Sequence, residues 1–258
     1  MCPLATRIQS GAKCGSRHVS GEQGVGLHVP TGVWVGTIVL AFSAGVVNAS
    51  GYLGFEHQAL SHLTGTTSLG AVATGQGQWS LAGHLAGVVA SYTGGALLAG
   101  LVLRSRTLSW GYAALLTLQT VLLLISAQAL MHDHTWGGCF AAAACGLQNA
   151  MTTYASGSAI RSTHLTGFFT DVGLLLGQST RGLQIPWRRL SLGCLVLGAF
   201  ILGGVIAAWV FPHVGFAILL LPAGCSAALG AVLAAYLCLN TQMGSRHSQD
   251  DPSTKEPL

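Results

Sequence analysis

The sequence predicts an all-α polytopic membrane protein: six transmembrane helices arranged as 3+3 inverted repeats, with two short broken or re-entrant helices. Three observations carry that prediction: an apolar composition, a long motif that occurs twice, and the placement of the positive charges. Of 258 residues, 7% are charged and 51% hydrophobic, against roughly 25% charged in soluble domains, and the mean hydropathy is +0.58. The net charge of +4 comes from basic residues scattered singly, with no basic stripe of the kind that binds nucleic acid. The seven cysteines include no CxxC pair and sit mostly in apolar runs, so they read as small buried hydrophobes rather than a disulfide framework.

Residues 1–30 are polar, Gly/Ser-rich and basic, and lack the apolar core of a signal peptide; they are expected to form a disordered cytoplasmic tail. The transmembrane domain is expected over 31–239. Its first repeat covers about 31–131 and its second about 137–239. Span one is Val33 to Gly54, about 20 apolar residues, enough to cross a ~30 Å hydrocarbon layer as a helix. A broken stretch follows, then span two (Leu81 to Leu103) and span three (Tyr112 to Met131). Span four runs from Gly138 to Ser158. After it comes a second broken stretch, in which Arg161 to Gly177 offers a short apolar helix of 10 or 11 residues. Span five is Leu190 to Val210, with a tight turn at Pro212-His213 into span six, Val214 to Leu239. The polar segment 240–258 is expected to be a disordered cytoplasmic tail. The six tryptophans fall at or near span ends, where an interfacial belt belongs.

The repeated motif reads GVVNASGYLGFEHQALSHLTG from Gly45 to Gly65 and GLQNAMTTYASGSAIRSTHLTG from Gly146 to Gly167. Glycine, Asn-Ala three residues on, tyrosine, and His-Leu-Thr-Gly ten residues past the tyrosine recur in the same order, with one extra residue before Tyr154. Paired motifs at matching places in two halves of an apolar chain point to a transporter's binding site. Lys and Arg accumulate on the cytoplasmic face. With six spans and the N-terminus inside, the two tails, the loop at 104–106 and the stretch 161–189 hold all 11 basic residues. Eight spans would move Arg104 and Arg106 outside. Three crossings per half make the second half enter the membrane upside down, so the HLTG motifs start from opposite faces and their short helices meet near the midplane.

Within this frame the polar residues become candidates. Thr64, Gly65, Thr66, Thr166 and Gly167 sit where short helices begin. Thr is a good N-cap, glycine permits close approach, and a helix N-terminus suits an anion or the acceptor end of a polar solute. The bland alternative is that the motifs only let two helices cross closely. His62 and His164 could bind a solute, carry a proton or ligate a metal, but no ligand spacing supports a metal site. Asn48 and Asn149, inside spans one and four, need partners and either bridge helices or line a polar cavity. Gln148 adds a further polar group. Asp171 is the one acid inside an apolar stretch. It reads as a proton-coupling site, or else as a first-turn helix acid or the ion-pair partner of Arg161 or Arg181. No equivalent acid exists in the first copy, where Ser68 or Leu69 falls nearby.

The GxxNA…GYL…SHLTG run of the first half and GLQNA…RSTHLTGFFTDVG of the second resemble the YoaK-like bacterial membrane proteins, the DUF1275 family, over about residues 33 to 238. The resemblance implies a multi-span inner-membrane protein of undetermined function and supplies no catalytic residues. That family's pattern has an acid near position 48 and Thr-Gly-Asn at 64–66; this chain has Asn48 and Thr66, which leaves Asp171 as the ionisable site. No nucleophile elbow, phosphate loop or zinc-protease motif appears, so neither an enzyme nor a cofactor is expected. The leading reading is a transporter or channel for a small polar or anionic solute bound between the repeats. The alternative is a non-transporting scaffold or sensor whose HLTG motifs only pack helices. The expected partners are the bilayer and a small-molecule solute; nucleic acid is not among them, and a homo-oligomer is compatible with this reading.

Overall fold

A computed structural model describes residues 31–54, 60–156, 165–183 and 187–249. Among them every regular element is helical: α1 (Thr31–Gly54), α2 (Leu63–Gly75), α3 (Trp79–Val102), α4 (Trp110–Met131), α5 (Gly137–Ala155), α6 (Leu165–Ser179), α7 (Trp187–Val214), a 3-10 turn (Gly215–Leu219) and α8 (Leu220–Gln249). Four stretches are long and apolar enough to cross a membrane: Gly32–Gly54, Trp79–Val102, Trp110–Met131 and the run Leu190–Gln242, which takes in α7 and α8. These are the properties of a membrane protein. At 19 residues, α5 is shorter than the other long helices and rich in Ala, Gly and polar residues, yet 11 of its residues are buried. A helix surrounded by protein needs no lipid-facing apolar surface.

Three boundaries differ from expectation. Pro212 lies inside α7 rather than at a turn. It falls in the last turn of α7, and the chain leaves the helix at Gly215, whose φ of 57° suits only glycine well. The second short helix has 15 residues rather than 10 or 11. Helix α8 continues ten residues beyond Leu239, through segment 240–249, which was expected to be disordered. That segment contains no proline. The N-terminal tail and residues 250–258 lie outside the described residues.

The helix directions follow from who meets whom. A Cβ on Gly45 would strike the carbonyl oxygen of Phe200, and one on Gly54, nine residues on, the ring of Phe211, eleven residues on, so α1 and α7 run parallel. A Cβ on Gly95 would strike the carbonyl of Ala143 and one on Gly146 that of Tyr92; Gly87 lies near Cys139, so α3 and α5 are parallel as well. The buried clusters set α1 against α5. Leu40 packs with Leu147 and Met151, while Val47, further along α1, packs with Ala141 to Cys145, earlier in α5. These two helices are antiparallel. So are α4 and α8, where Thr120 Oγ1 reaches the Ala223 carbonyl at 3.5 Å and Leu116 lies against Gly230.

Helix α2 doubles back on α3, because a Cβ on Gly70 would lie 3.6 Å from Leu85. It therefore runs with α1. Its 13 residues rise about 20 Å, too little to cross a ~30 Å layer. Its first turn is level with the region around Tyr92, the middle of α3.

Candidate functional site

The first copy of the motif assembles around Asn48, about 9 Å before the end of α1 at 1.5 Å per residue. The Ser61 backbone N–H donates to Asn48 Oδ1 at 2.8 Å, and Asn48 Nδ2 lies 2.8 Å from His62 Nδ1. The first bond fixes which end of the amide is oxygen, so the second must have the amide as donor and the ring nitrogen as acceptor. His62 is thereby held neutral, with its proton on Nε2. Its ring also meets Phe200 of α7 edge-on, with centroids 5.6 Å apart. The His62 side chain thus ties the start of the short helix to two long ones. Beside it, Ser61 Oγ is buried and has no hydrogen-bond partner among the described residues.

His62, not Thr64, is the N-cap residue of α2, and its side chain makes no capping hydrogen bond. Thr64 lies inside the first turn, where its carbonyl accepts from Ser68 Oγ at 2.9 Å. Thr64 and Gly65 are exposed and Thr66 is 4% exposed, so the first turn presents one open and one covered face. A Cβ on Gly65 would meet nothing within 4 Å. Close packing therefore does not explain that glycine. It does explain Gly45 and Gly146, the first residues of the two motifs, each of which lets a neighbouring helix backbone approach to a distance no side chain permits.

In the second copy, Asn149 Nδ2 donates to the Tyr92 hydroxyl at 2.6 Å. Tyr92 precedes Gly95 by three residues in α3, as Phe200 precedes Gly203 by three in α7. Asn149 thus bonds an aromatic from the helix that its own glycine touches, whereas Asn48 is linked to Phe200 through the His62 ring. Neither aromatic was singled out from sequence; the shared aromatic-x-x-Gly spacing in spans two and five was the available signal. His164, Arg161 and the rest of the segment before α6 lie outside the described residues. Thr166 is exposed and Gly167 partly buried at the start of α6. Asp171 is half-buried in the second turn of α6 rather than the first, which removes the helix-dipole reading proposed for it. Phe168 lies over Gly193 of α7, where a Cβ would collide with its ring.

A second polar system links three helices. Gln119 Nε2 donates to Gln148 Oε1 at 2.7 Å, and Gln148 Nε2 donates to the Leu40 carbonyl at 2.8 Å. Both glutamines are buried, and Gln119 Oε1 has no partner among the described residues. Gln148 therefore serves the bundle interior rather than the motif's surface, and Gln119 carried no sequence signal beyond being polar in an apolar span. Among the described residues no three His, Cys, Asp or Glu side chains come together to hold a metal.

A family model described as "Protein of unknown function (DUF1275)" matches residues 36–234. No curated protein and no solved structure matches the chain.

Proposed function

The chain belongs to the DUF1275 family of proteins of unknown function, and from that premise we propose that it is a transporter or channel for a small polar or anionic solute, bound where the two short helices begin. The observation that carries this reading is how both approach α7. His62, at the start of α2, rests on Phe200, and Phe168, in the first turn of α6, rests on Gly193. Residues 193 and 200 are seven apart, so they share a helix face and lie about 10 Å apart along the axis. Two helix N-termini, each carrying the partial positive charge of its helix dipole, are brought towards one level. That level is also the depth of the Asn149–Tyr92 pair.

The six-span, 3+3 inverted architecture is part of the proposal. Exchanging α1–α4 with α5–α8 turns the α1–α7 pairing into α5–α3 and leaves the α4–α8 pairing unchanged; α1 and α5 run in opposite directions. Both short helices then start inside the membrane, where irregular backbone persists only if protein or a water-filled cavity covers it. With the basic residues facing the cytoplasm, the protein would sit in the cell's inner membrane with both termini inside. His62 and Thr64 to Thr66 would contact the solute from one half, and His164, Thr166 and Gly167 from the other. Asn48 and Asn149 position these groups, and Asp171 supplies a proton-coupling acid. No enzymatic step enters this reading.

The packing reading keeps one observation in its favour: the oxygen and the amide nitrogen of Asn48 are both engaged within the protein. One experiment separates the two. Single cysteines replacing Gly65 and Gly167 in a cysteine-free background are exposed to a membrane-impermeant thiol reagent from each side, and uptake of a panel of small anions and amides into proteoliposomes is measured in parallel. The transport reading expects labelling from opposite sides and uptake that falls with His62→Ala or Asp171→Asn. Inertness at both positions, with no uptake by well-folded protein, leaves the scaffold.

A further inference from the structure

We infer that the groove between α3 and α5 is a binding site for an anionic phospholipid, its acyl chain lying along the groove and its phosphate held by Arg104 and Arg106. The groove encloses about 320 Å³ and is lined by Tyr92, Ala96, Gly100 and Leu103 from α3 and by Asn149 and Thr153 from α5, among others. The α3 residues follow one another at helical spacing along a single face. They extend from the middle of the helix to its C-cap, 12 residues that rise about 16 Å. That is half of a ~30 Å hydrocarbon layer, the depth that one acyl chain of one leaflet occupies. At the deep end the two polar groups, Asn149 and Tyr92, are bonded to each other, so the groove floor makes no demand on a ligand there. Ala96, Gly100, Leu103 and Ala150 supply the apolar remainder.

The shallow end is different in kind. Leu103 lines the groove and is followed directly by Arg104-Ser105-Arg106, both arginines being exposed. Ser105 is anchored from two directions: its hydroxyl lies 2.6 Å from Thr107 Oγ1, and its carbonyl accepts from the Tyr112 hydroxyl at 3.5 Å. The two guanidinium groups are thus carried on a loop tied to α4, at the mouth of an apolar trough. Thr153 and Tyr154 place hydroxyls near the same end. An apolar trough one leaflet deep with two cations at its rim matches a lipid whose headgroup is an anionic phosphate, and gives a zwitterionic lipid no comparable charge complement. This site does not depend on solute transport.

The test uses the full chain reconstituted in equal parts of palmitoyl-oleoyl phosphatidylglycerol and phosphatidylcholine, extracted in mild detergent and weighed intact by native mass spectrometry. Wild type should retain phosphatidylglycerol in preference to phosphatidylcholine. Arg104→Gln and Arg106→Gln should each cut that preference about fivefold, and Arg181→Gln should leave it alone. Gly100→Leu should fold normally, because a Cβ there meets nothing within 4 Å, and should lose the retained lipid by filling the trough. Equal retention of both lipids by wild type overturns the proposal, as does retention by Gly100→Leu with unchanged helical circular dichroism. So does a wild-type mass of two chains that Gly100→Leu reduces to one, since the occupant would then be a second copy.

Discussion

Asn48 shows how much one polar side chain can determine inside an apolar helix. A lone amide there costs a few kcal/mol unless it is satisfied, and it is satisfied by the backbone of Ser61 and the ring of His62. Those bonds hold Ser61 and His62, at the start of α2, against α1. Asn48→Ala should lower stability by about 1–3 kcal/mol, read as a fall in detergent melting temperature, because it strands a buried N–H and a ring nitrogen together. Asn48→Asp is the informative partner variant. Its carboxylate still accepts from Ser61 but can no longer donate to Nδ1, so His62 must carry its proton there or take a second one. The imidazole ¹⁵N shifts should then report a protonated Nδ1, whereas wild type should show the Nε2–H tautomer. An unchanged ring signal would contradict the hydrogen-bond assignment. Sequence reasoning could name Asn48 and His62 as one recurring set, since the repeat ties them together. It could not pair them with each other, because a separation of 14 residues across a chain reversal has no periodicity to read.

At the level of helices, the motif's glycines divide by purpose. Gly45 and Gly146 are where backbones touch, so even Gly45→Ala or Gly146→Ala should drive helices apart and cost several kcal/mol by overpacking. Loss of monodisperse protein on size exclusion would register it. Gly65→Ala should be silent in that assay, since the added methyl meets nothing. Normal behaviour of Gly45→Ala would show that the two interfaces can relax in ways their close contact does not suggest. The glutamine chain makes a sharper demand. Gln148→Leu removes a donor from the Leu40 carbonyl and leaves the Gln119 amide unpaired, so it should destabilise by about 1–3 kcal/mol. Gln119→Leu combined with Gln148→Leu should recover much of that loss, because orphaning one partner costs more than removing both. Helix ends were legible to within a few residues, since apolar runs bound most of them. The exceptions are instructive. Pro212 was read as a turn because proline breaks helix interiors, yet α7 continues through it for two more residues, to Val214. α5, read as a span from Gly138 to Ser158, ends at Ala155, three residues early.

For the molecule as a whole, the repeated motif led to the expectation of two like halves, and the arginine and lysine positions to the proposal that they enter a membrane from opposite faces. What it did not convey is which helices pair. The swapped partnerships, α1 with α7 and α3 with α5, depend on glycines meeting carbonyls across 100 residues or more in one case and about 50 in the other, and nothing local encodes them. From these pairings follows a strong prediction about distance. If His62 and Phe168 rest on one face of α7 seven residues apart, Thr64 and Thr166 each lie two residues from those anchors, at the mouths of helices that open towards each other. Cysteines at both positions, in a chain whose native cysteines are replaced, should be joined within one molecule by a flexible bis-thiol reagent about two helical turns long, some 11 Å. The product would migrate as a monomer of altered mobility and revert if the linker is cleaved. A non-converging arrangement gives no intramolecular link, or links only between molecules. Solute offered before the reagent should slow the reaction if the space between the two first turns is where it binds, and a rate that no tested solute alters would separate a shared location from a shared role.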